Sequence, residues 1–225
     1  MMLAFMSGTI NAGGFLACGR FVTHVTGFAA FLGIDVANGE YALALGMLVV
    51  PLIFLLGSFV SGGLIDVRIR EGREPRYDLV MLMVTTALVL SAVGGNLGWF
   101  GVFQGEGGAV QADIGLIILL CFASGLQNAL ISTSSGAVIR TTHLTGLTTD
   151  LGIGLAKALS APDAAATPHE LVNNKIRAGI IGSFVLGSAA GTFAFLRLEY
   201  WAFLIPALIS LYATQLVFRY KKKRR

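Results

Sequence analysis

One stretch of this chain occurs twice, and that duplication restricts the fold more than any other feature. Residues 7–34 read SGTINAGGFLACGRFVTHVTGFAAFLGI, and residues 124–153 read SGLQNALISTSSGAVIRTTHLTGLTTDLGI. Ser7-Gly8 and Asn11-Ala12 recur as Ser124-Gly125 and Asn128-Ala129, and Gly19 recurs as Gly136. After a two-residue insertion, Thr23-His24-Val25-Thr26-Gly27 returns as Thr142-His143-Leu144-Thr145-Gly146, and Leu32-Gly33-Ile34 as Leu151-Gly152-Ile153. A third match sets Gly57-Ser58-Phe59-Val60 against Gly182-Ser183-Phe184-Val185. Three matches in the same order, at slowly growing offsets, mark an internal duplication.

The environment follows from composition. The chain has 225 residues, of which 55% are hydrophobic and only 12% charged, with a mean hydropathy of +0.78. A soluble domain carries roughly twice that share of charge. Long apolar runs account for the excess, so the expectation is an all-α, polytopic integral membrane protein. A single membrane domain, 1–225, uses the whole length, with one repeat half over 1–105, the other over 113–220, and a basic tail at 220–225. The net charge of +4 resides in loops and in Tyr220-Lys221-Lys222-Lys223-Arg224-Arg225. That tail reads as a cytoplasmic anchor for anionic lipid heads, and nucleic acid is excluded as a partner. Cys18 and Cys121 lie in apolar segments without CxxC or ligand-spaced His, so they read as small buried thiols. The N-terminus lacks the basic start of a signal peptide and belongs to the duplicated unit, so it is read as part of the mature protein.

Eight segments emerge, A (2–18), B (21–37), C (41–65) and D (78–101) in the first half. The second half holds A′ (113–131), B′ (138–159), C′ (176–196) and D′ (200–219). C, D, C′ and D′ each approach the ~20 residues that span a bilayer as helix, whereas A, B and B′ are shorter or interrupted by Gly, Ser and Thr. Arg68, Arg70, Arg73 and Arg76 place the C–D loop, Asp66 to Asp78, on the cytoplasmic side. Lys157, Lys175 and Arg177 do the same for the B′–C′ loop. The D–A′ loop with Glu106 and Asp113, and the B–C loop with Asp35 and Glu40, lack Lys and Arg and face out. Trp99, Tyr200 and Trp201 fall at the outer interface, and Tyr77 and Tyr220 at the inner one. Arg197 in the C′–D′ connection is the single basic residue against this pattern. A and B together then make one crossing, as do A′ and B′. The result is about six net crossings, arranged as two inverted three-crossing repeats with both termini cytoplasmic.

Two segments sharing one crossing require broken or re-entrant helices, near Gly19-Arg20 and near Ser132 to Gly136. Either two half-helices meet there, or a full span is followed by a segment that dips in and returns. Both leave backbone groups unpaired in the bilayer, which is tolerated only against protein or a polar cavity. Inverted repeats with such breaks point to a transporter binding site. The candidate substrate-binding residues are therefore Asn11, His24, Thr26, Gly27, Gln127, Asn128, His143, Thr145 and Gly146. The two histidines can exchange hydrogen bonds or a proton, or simply tie the breaks together. Thr26-Gly27 and Thr145-Gly146 can open short helices whose N–H groups face an anion, or can be close-packing positions. The amides of Asn11, Gln127 and Asn128 need partners in an apolar interior, from a ligand or from another helix. Asp150 reads as a carboxylate inside a membrane segment, free to couple to a proton or to pair with Arg140 or Arg20. Gly62, Gly63, Gly187 and Gly191 read as close helix contacts. No nucleophile motif, metal-spaced cluster or phosphate loop is present, so an enzyme is not expected, and neither a metal nor another cofactor.

Asn11-Ala12, Phe15-Leu16 and His24-Val25-Thr26-Gly27 resemble the first half of the YoaK-like family of bacterial inner-membrane proteins. Gly125-Leu126-Gln127-Asn128-Ala129 and Arg140-Thr141-Thr142-His143-Leu144-Thr145-Gly146 are similar to its second-half signature. The resemblance covers nearly the whole chain and implies a compact protein of the bacterial inner membrane, of a family whose function is unknown. Family members often carry Asp at the position of Asn11 and Asn at that of Phe28, which leaves Asp150 as the carboxylate candidate for coupling. The functional expectation is a small secondary transporter or permease for a small polar or anionic metabolite, its site near mid-membrane between the halves. The alternatives are a channel-like pore, for which a homodimer is open, and a non-transporting module that binds lipid or a partner protein.

Overall fold

The computed structural model describes residues 1–23, 25–103, 110–134, 144–160 and 167–224, with side chains at 1–23, 25–103, 114–133, 144–160 and 170–219. Among the described residues every regular element is helical. In order they are α1 (Met2–Cys18), α2 (Thr26–Ala37), α3 (Tyr41–Met47), α4 (Val49–Gly62), a π turn (Gly63–Val67), α5 (Arg68–Arg70) and α6 (Tyr77–Asn96). Then come α7 (Val110–Ser134), α8 (Leu144–Ser160), α9 (Thr167–Leu198), a 3-10 turn (Glu199–Phe203) and α10 (Leu204–Arg224).

Proline explains two of the interruptions. Pro51 has no N–H to give the Met47 carbonyl, so the rod pauses at Leu48 and restarts with Pro51 in the first turn of α4, where no donor is needed. Pro206 stands in the same place in α10, directly after the 3-10 turn. The segment expected to end near Ile65 instead continues through the π turn to Arg70, which shortens the arginine-rich loop and draws Asp66 into the helical rod.

Among the described residues, four stretches are long and apolar enough to cross a membrane: Tyr41–Arg70, Tyr77–Asn96, Ile114–Thr133 and Glu170–Arg219, the last running through α9, the 3-10 turn and α10. Met2–Cys18 and Thr26–Ala37 are apolar but shorter. Leu45, Leu52, Leu55 and Phe59 on the Tyr41–Arg70 rod, Phe193 on α9 and Leu208 on α10 are exposed. So much exposed apolar surface is the mark of lipid-facing helices. The chain has the make-up of a multi-pass membrane protein.

The two most closely packed helix pairs join distant parts of the sequence. α1 lies parallel to α9, and α4 parallel to α7. A methyl group added at Gly8 would strike the Phe184 carbonyl oxygen, and one at Gly187 the Phe5 carbonyl oxygen. In the other pair, Gly125 lies against the Phe54 carbonyl and Gly57 against the Phe122 carbonyl. Ser188 donates to the Gly8 carbonyl at 3.2 Å, and Ser58 donates to the Gly125 carbonyl at 3.2 Å. The contact counterpart of Gly57-Ser58 is thus Gly187-Ser188, five residues beyond the Gly182-Ser183 that sequence identity selects; Gly182 faces open space. Gly187 and Gly191 do lie in close helix contact, whereas Gly62 and Gly63 meet no neighbouring helix.

α6 runs against α10, where Thr85 donates to Ser210 at 2.8 Å, and Gly95 lies under the Tyr200 ring. Phe103, Phe195, Tyr200 and Phe203 close one end of the bundle, with Phe195 and Phe203 centroids 4.7 Å apart. Tyr200 is buried there, while its neighbour Trp201 and Trp99 stay exposed. The expected interfacial ring of Tyr200 is therefore a core ring.

Candidate functional site

The site is built from the turn that follows α1. Gly19 ends the helix in the left-handed region, φ 63°, and its N–H bonds the Phe15 carbonyl at 2.9 Å. Glycine adopts that conformation without the steric cost of a Cβ. The chain then runs back along the helix it has just left. Phe21 stacks on Phe15 with centroids 4.8 Å apart, Val22 fills the space over Gly14, and Thr23 donates its hydroxyl to the Asn11 carboxamide oxygen at 2.8 Å. Val22 and Thr23 are each 1% exposed. From Cys18 back to Asn11 the retreat is roughly 10 Å along the axis.

α2 then returns. Phe31 lies 6.5 Å from Phe21, the Arg20 guanidinium sits 4.4 Å over the Phe31 ring, and Asp35 Oδ2 is 3.9 Å from Arg20 Nη2. Residues 19–23 therefore double back along α1, and α2 follows from Thr26. The Thr26-Gly27 pair stands in the first turn of α2. His24, between the two in sequence, lies outside the described residues.

Arg20 makes further contacts. Besides Phe31 and Asp35 it reaches the Met47 sulfur from Nε at 3.3 Å and the Gly19 carbonyl from Nη1 at 3.3 Å. It does not pair with Asp150. Asp35, expected in an outward loop, is instead 5% exposed within α2. Sequence reasoning passed over it because it sits at the end of a segment. The signal was its spacing from Phe31, four residues or one helical turn, which puts both on the face toward Arg20.

In the second half α7 continues unbroken through Ser134, beyond the break expected from Ser132, and is itself long enough to span. Arg140 and His143 lie outside the described residues. α8 begins at Leu144, with Thr145 and Gly146 exposed in its first turn. Leu147 packs on Ala4 and Ile180, and Gly154 lies against the Asn174 carboxamide. Asp150 is exposed on α8, not enclosed by other helices.

The amides of α7 are buried. Gln127 is 2% exposed, and its Nε2 donates to the Leu3 carbonyl at 2.9 Å and to Ser7 Oγ at 2.8 Å. Its donor is thus committed to holding α7 against α1. The Asn128 carbonyl accepts the Ser132 hydroxyl at 2.9 Å. Asn11, Thr23 and the α2 N-terminus come together, whereas Thr145, Gly146 and Asp150 lie apart from them on the α8 surface.

One functional candidate escaped the sequence reading altogether. Asp66, taken as the start of a cytoplasmic loop, is half-buried in the π turn, where Oδ2 accepts the Thr133 hydroxyl at 2.8 Å. Single-turn π distortions inside helices recur at functional sites. Nothing in the local composition marks one. Among the described residues, no three of His, Cys, Asp and Glu converge as a metal site. No curated protein and no solved structure matches the chain. A family model described as "Protein of unknown function (DUF1275)" matches residues 1–216. With a match over nearly its whole length, the chain belongs to the DUF1275 family of proteins of unknown function.

Proposed function

We propose that the protein is a small secondary transporter or permease for a small polar or anionic metabolite, working in the bacterial inner membrane. The observation that carries this reading is the doubling back of residues 19–23 along α1, which we read with α2 as a re-entrant hairpin. Its tip brings the buried Thr23 hydroxyl, the Asn11 amide and the first turn of α2 to the middle of α1. Non-helical backbone at such a depth is tolerated against protein or a polar cavity, and pairs of such breaks build transporter sites.

Two inverted three-crossing halves are part of the proposal. They are supported by the matched contacts of Ser58 with Gly125 and Ser188 with Gly8. Opposed helix directions support them too: α1 runs with α9, α6 runs against α10, and α7 runs against α6. Both termini and the loop around Arg73 would then face the cytoplasm. The close pairs α1–α9 and α4–α7 each join one half to the other, so the bodies that rock are these pairs, not the sequence halves. The contact of Gln127 with Leu3 and Ser7 is the seam between them.

The test is ligand-dependent thermal stabilisation of the purified protein against a panel of small metabolites and inorganic anions. His24→Ala, His143→Ala, Asn11→Ala and Asp150→Asn run alongside. A compound that stabilises the parent and the Asp150 variant, but not the other three, supports a site at the two breaks. No stabilisation by any compound, with all variants melting like the parent, rejects the reading and favours the lipid- or protein-binding module. Flux that follows concentration alone in proteoliposomes would instead favour the channel-like pore.

A further inference from the structure

Arg20 and Asp35 face each other at the junction of α1, α2 and α3 without making a hydrogen bond. The 3.9 Å between Nη2 and Oδ2 is beyond hydrogen-bond reach. Among the described residues, Asp35 Oδ2 is buried and has no hydrogen-bond partner. The Asp35 side chain is 8% exposed and that of Arg20 22%, so the guanidinium forms the open side of the pair. Its other commitments are weak. Nε meets the Met47 thioether at 3.3 Å, a poor acceptor, and Nη1 reaches the Gly19 carbonyl at 3.3 Å, longer than a good N–H···O bond. The Phe31 ring covers one face of the guanidinium, its centre 4.4 Å from Cζ. Buried ion pairs are stable when further hydrogen bonds satisfy both members, and here neither member is satisfied.

The charges of the pair select its ligand. A buried charge without a partner is costly, whichever its sign. An anion that draws Arg20 away strands Asp35, and a cation bound by Asp35 strands Arg20. A molecule carrying both charges strands neither, because its carboxylate takes the guanidinium fork while its ammonium donates to Oδ2. The two protein groups stand only 3.9 Å apart, which suits ligand charges on neighbouring carbon atoms. Room comes from Arg20 itself, a long side chain directly after the left-handed Gly19, held by a thioether and a long carbonyl contact. The Phe31 ring and the Met47 side chain offer apolar walls to the ligand's remaining carbons.

We propose that Arg20 and Asp35 form a binding site for a zwitterion of the α-amino-acid class. That the bound zwitterion is cargo rests on the transport reading; the binding site itself does not. The test measures binding of radiolabelled glycine, alanine and leucine, each separately, to the full-length protein in nanodiscs by scintillation proximity. At least one should bind saturably and be displaced by its unlabelled form. Acetate, methylammonium and γ-aminobutyrate should displace it at least about tenfold less well, since each lacks one charge or holds the two too far apart. Asp35→Asn keeps the shape without the charge and should weaken binding about ten- to hundredfold. The Arg20→Met, Asp35→Leu double variant strands no charge, so it should elute as the parent does in size exclusion and bind none of the three. Absence of saturable binding, displacement by acetate as strong as by the amino acid, or parent-like affinity in the double variant overturns the proposal. If none of the three binds while another metabolite stabilises the protein, this substrate class fails and the transport reading stands. Zwitterion binding without uptake into proteoliposomes keeps the site and rejects transport.

Discussion

At the scale of single residues, the hairpin stands on a polar bond and an ion pair. The Thr23–Asn11 bond is almost wholly shielded on the Thr23 side, so each partner should cost about 1 kcal/mol when truncated. A double-mutant cycle with Asn11→Ala and Thr23→Val should return a coupling of ~0.5–1.5 kcal/mol in detergent unfolding; additive losses would show that the two side chains act separately. The Arg20–Asp35 pair obeys a different rule. Removing one member of a buried pair strands the other charge and costs about 3–5 kcal/mol, while replacing both by apolar groups is near neutral. The 22% exposure of the Arg20 side chain lowers the first figure. Asp35→Ala should therefore lower the melting temperature more than the Arg20→Met, Asp35→Leu double variant, a ranking that thermal unfolding checks. Asn11 and Thr23 were legible in the sequence as repeated polar residues in apolar surroundings. Their bond was not, because it exists only after the chain reverses at Gly19, and no local pattern states how far a reversed chain retreats.

Between elements, the glycines carry the argument. Gly8 and Gly187 let α1 and α9 approach until backbone meets backbone, and Gly57 and Gly125 do the same for α4 and α7. Gly187→Leu forces a side chain into the Phe5 carbonyl, so a loss of roughly 1–3 kcal/mol or more is expected. Gly182→Leu, one and a half turns away over open space, should melt like the parent. Equal losses at both positions would reject the pairing. The small-residue faces were readable as helix contacts, but their register was not. The Gly-Ser-Phe-Val identity picks Gly182-Ser183, whereas packing picks Gly187-Ser188, since only the latter faces α1. The π turn was equally hidden, because Asp66 reads as a loop residue until Thr133 is known to lie beside it.

For the whole molecule, charge and hydropathy sufficed for helical class and a membrane setting, and the duplicated motif located the reversal after α1. Which helices embrace was beyond them, since pairing α1 with α9 joins segments that nothing in the chain marks as neighbours. The proposed orientation makes its own prediction. In a background of Cys18→Ala and Cys121→Ala, a cysteine at Glu74 should react with a membrane-impermeant maleimide only from the cytoplasmic side, and one at Gly98 only from the outside. The reverse pattern in intact cells and inverted vesicles would overturn the orientation and leave the fold untouched.

The pairing of Gly8 with Phe184 and of Gly187 with Phe5 also sets a schedule for biogenesis. The glycine face of α1 is made first, and its cover almost last. At about 5–20 residues per second, roughly ten to forty seconds of synthesis separate them. Throughout that interval the first helix must wait in the bilayer with its closest-packing surface unoccupied, so an insertion factor that holds it should speed assembly more than one that guides the final helices.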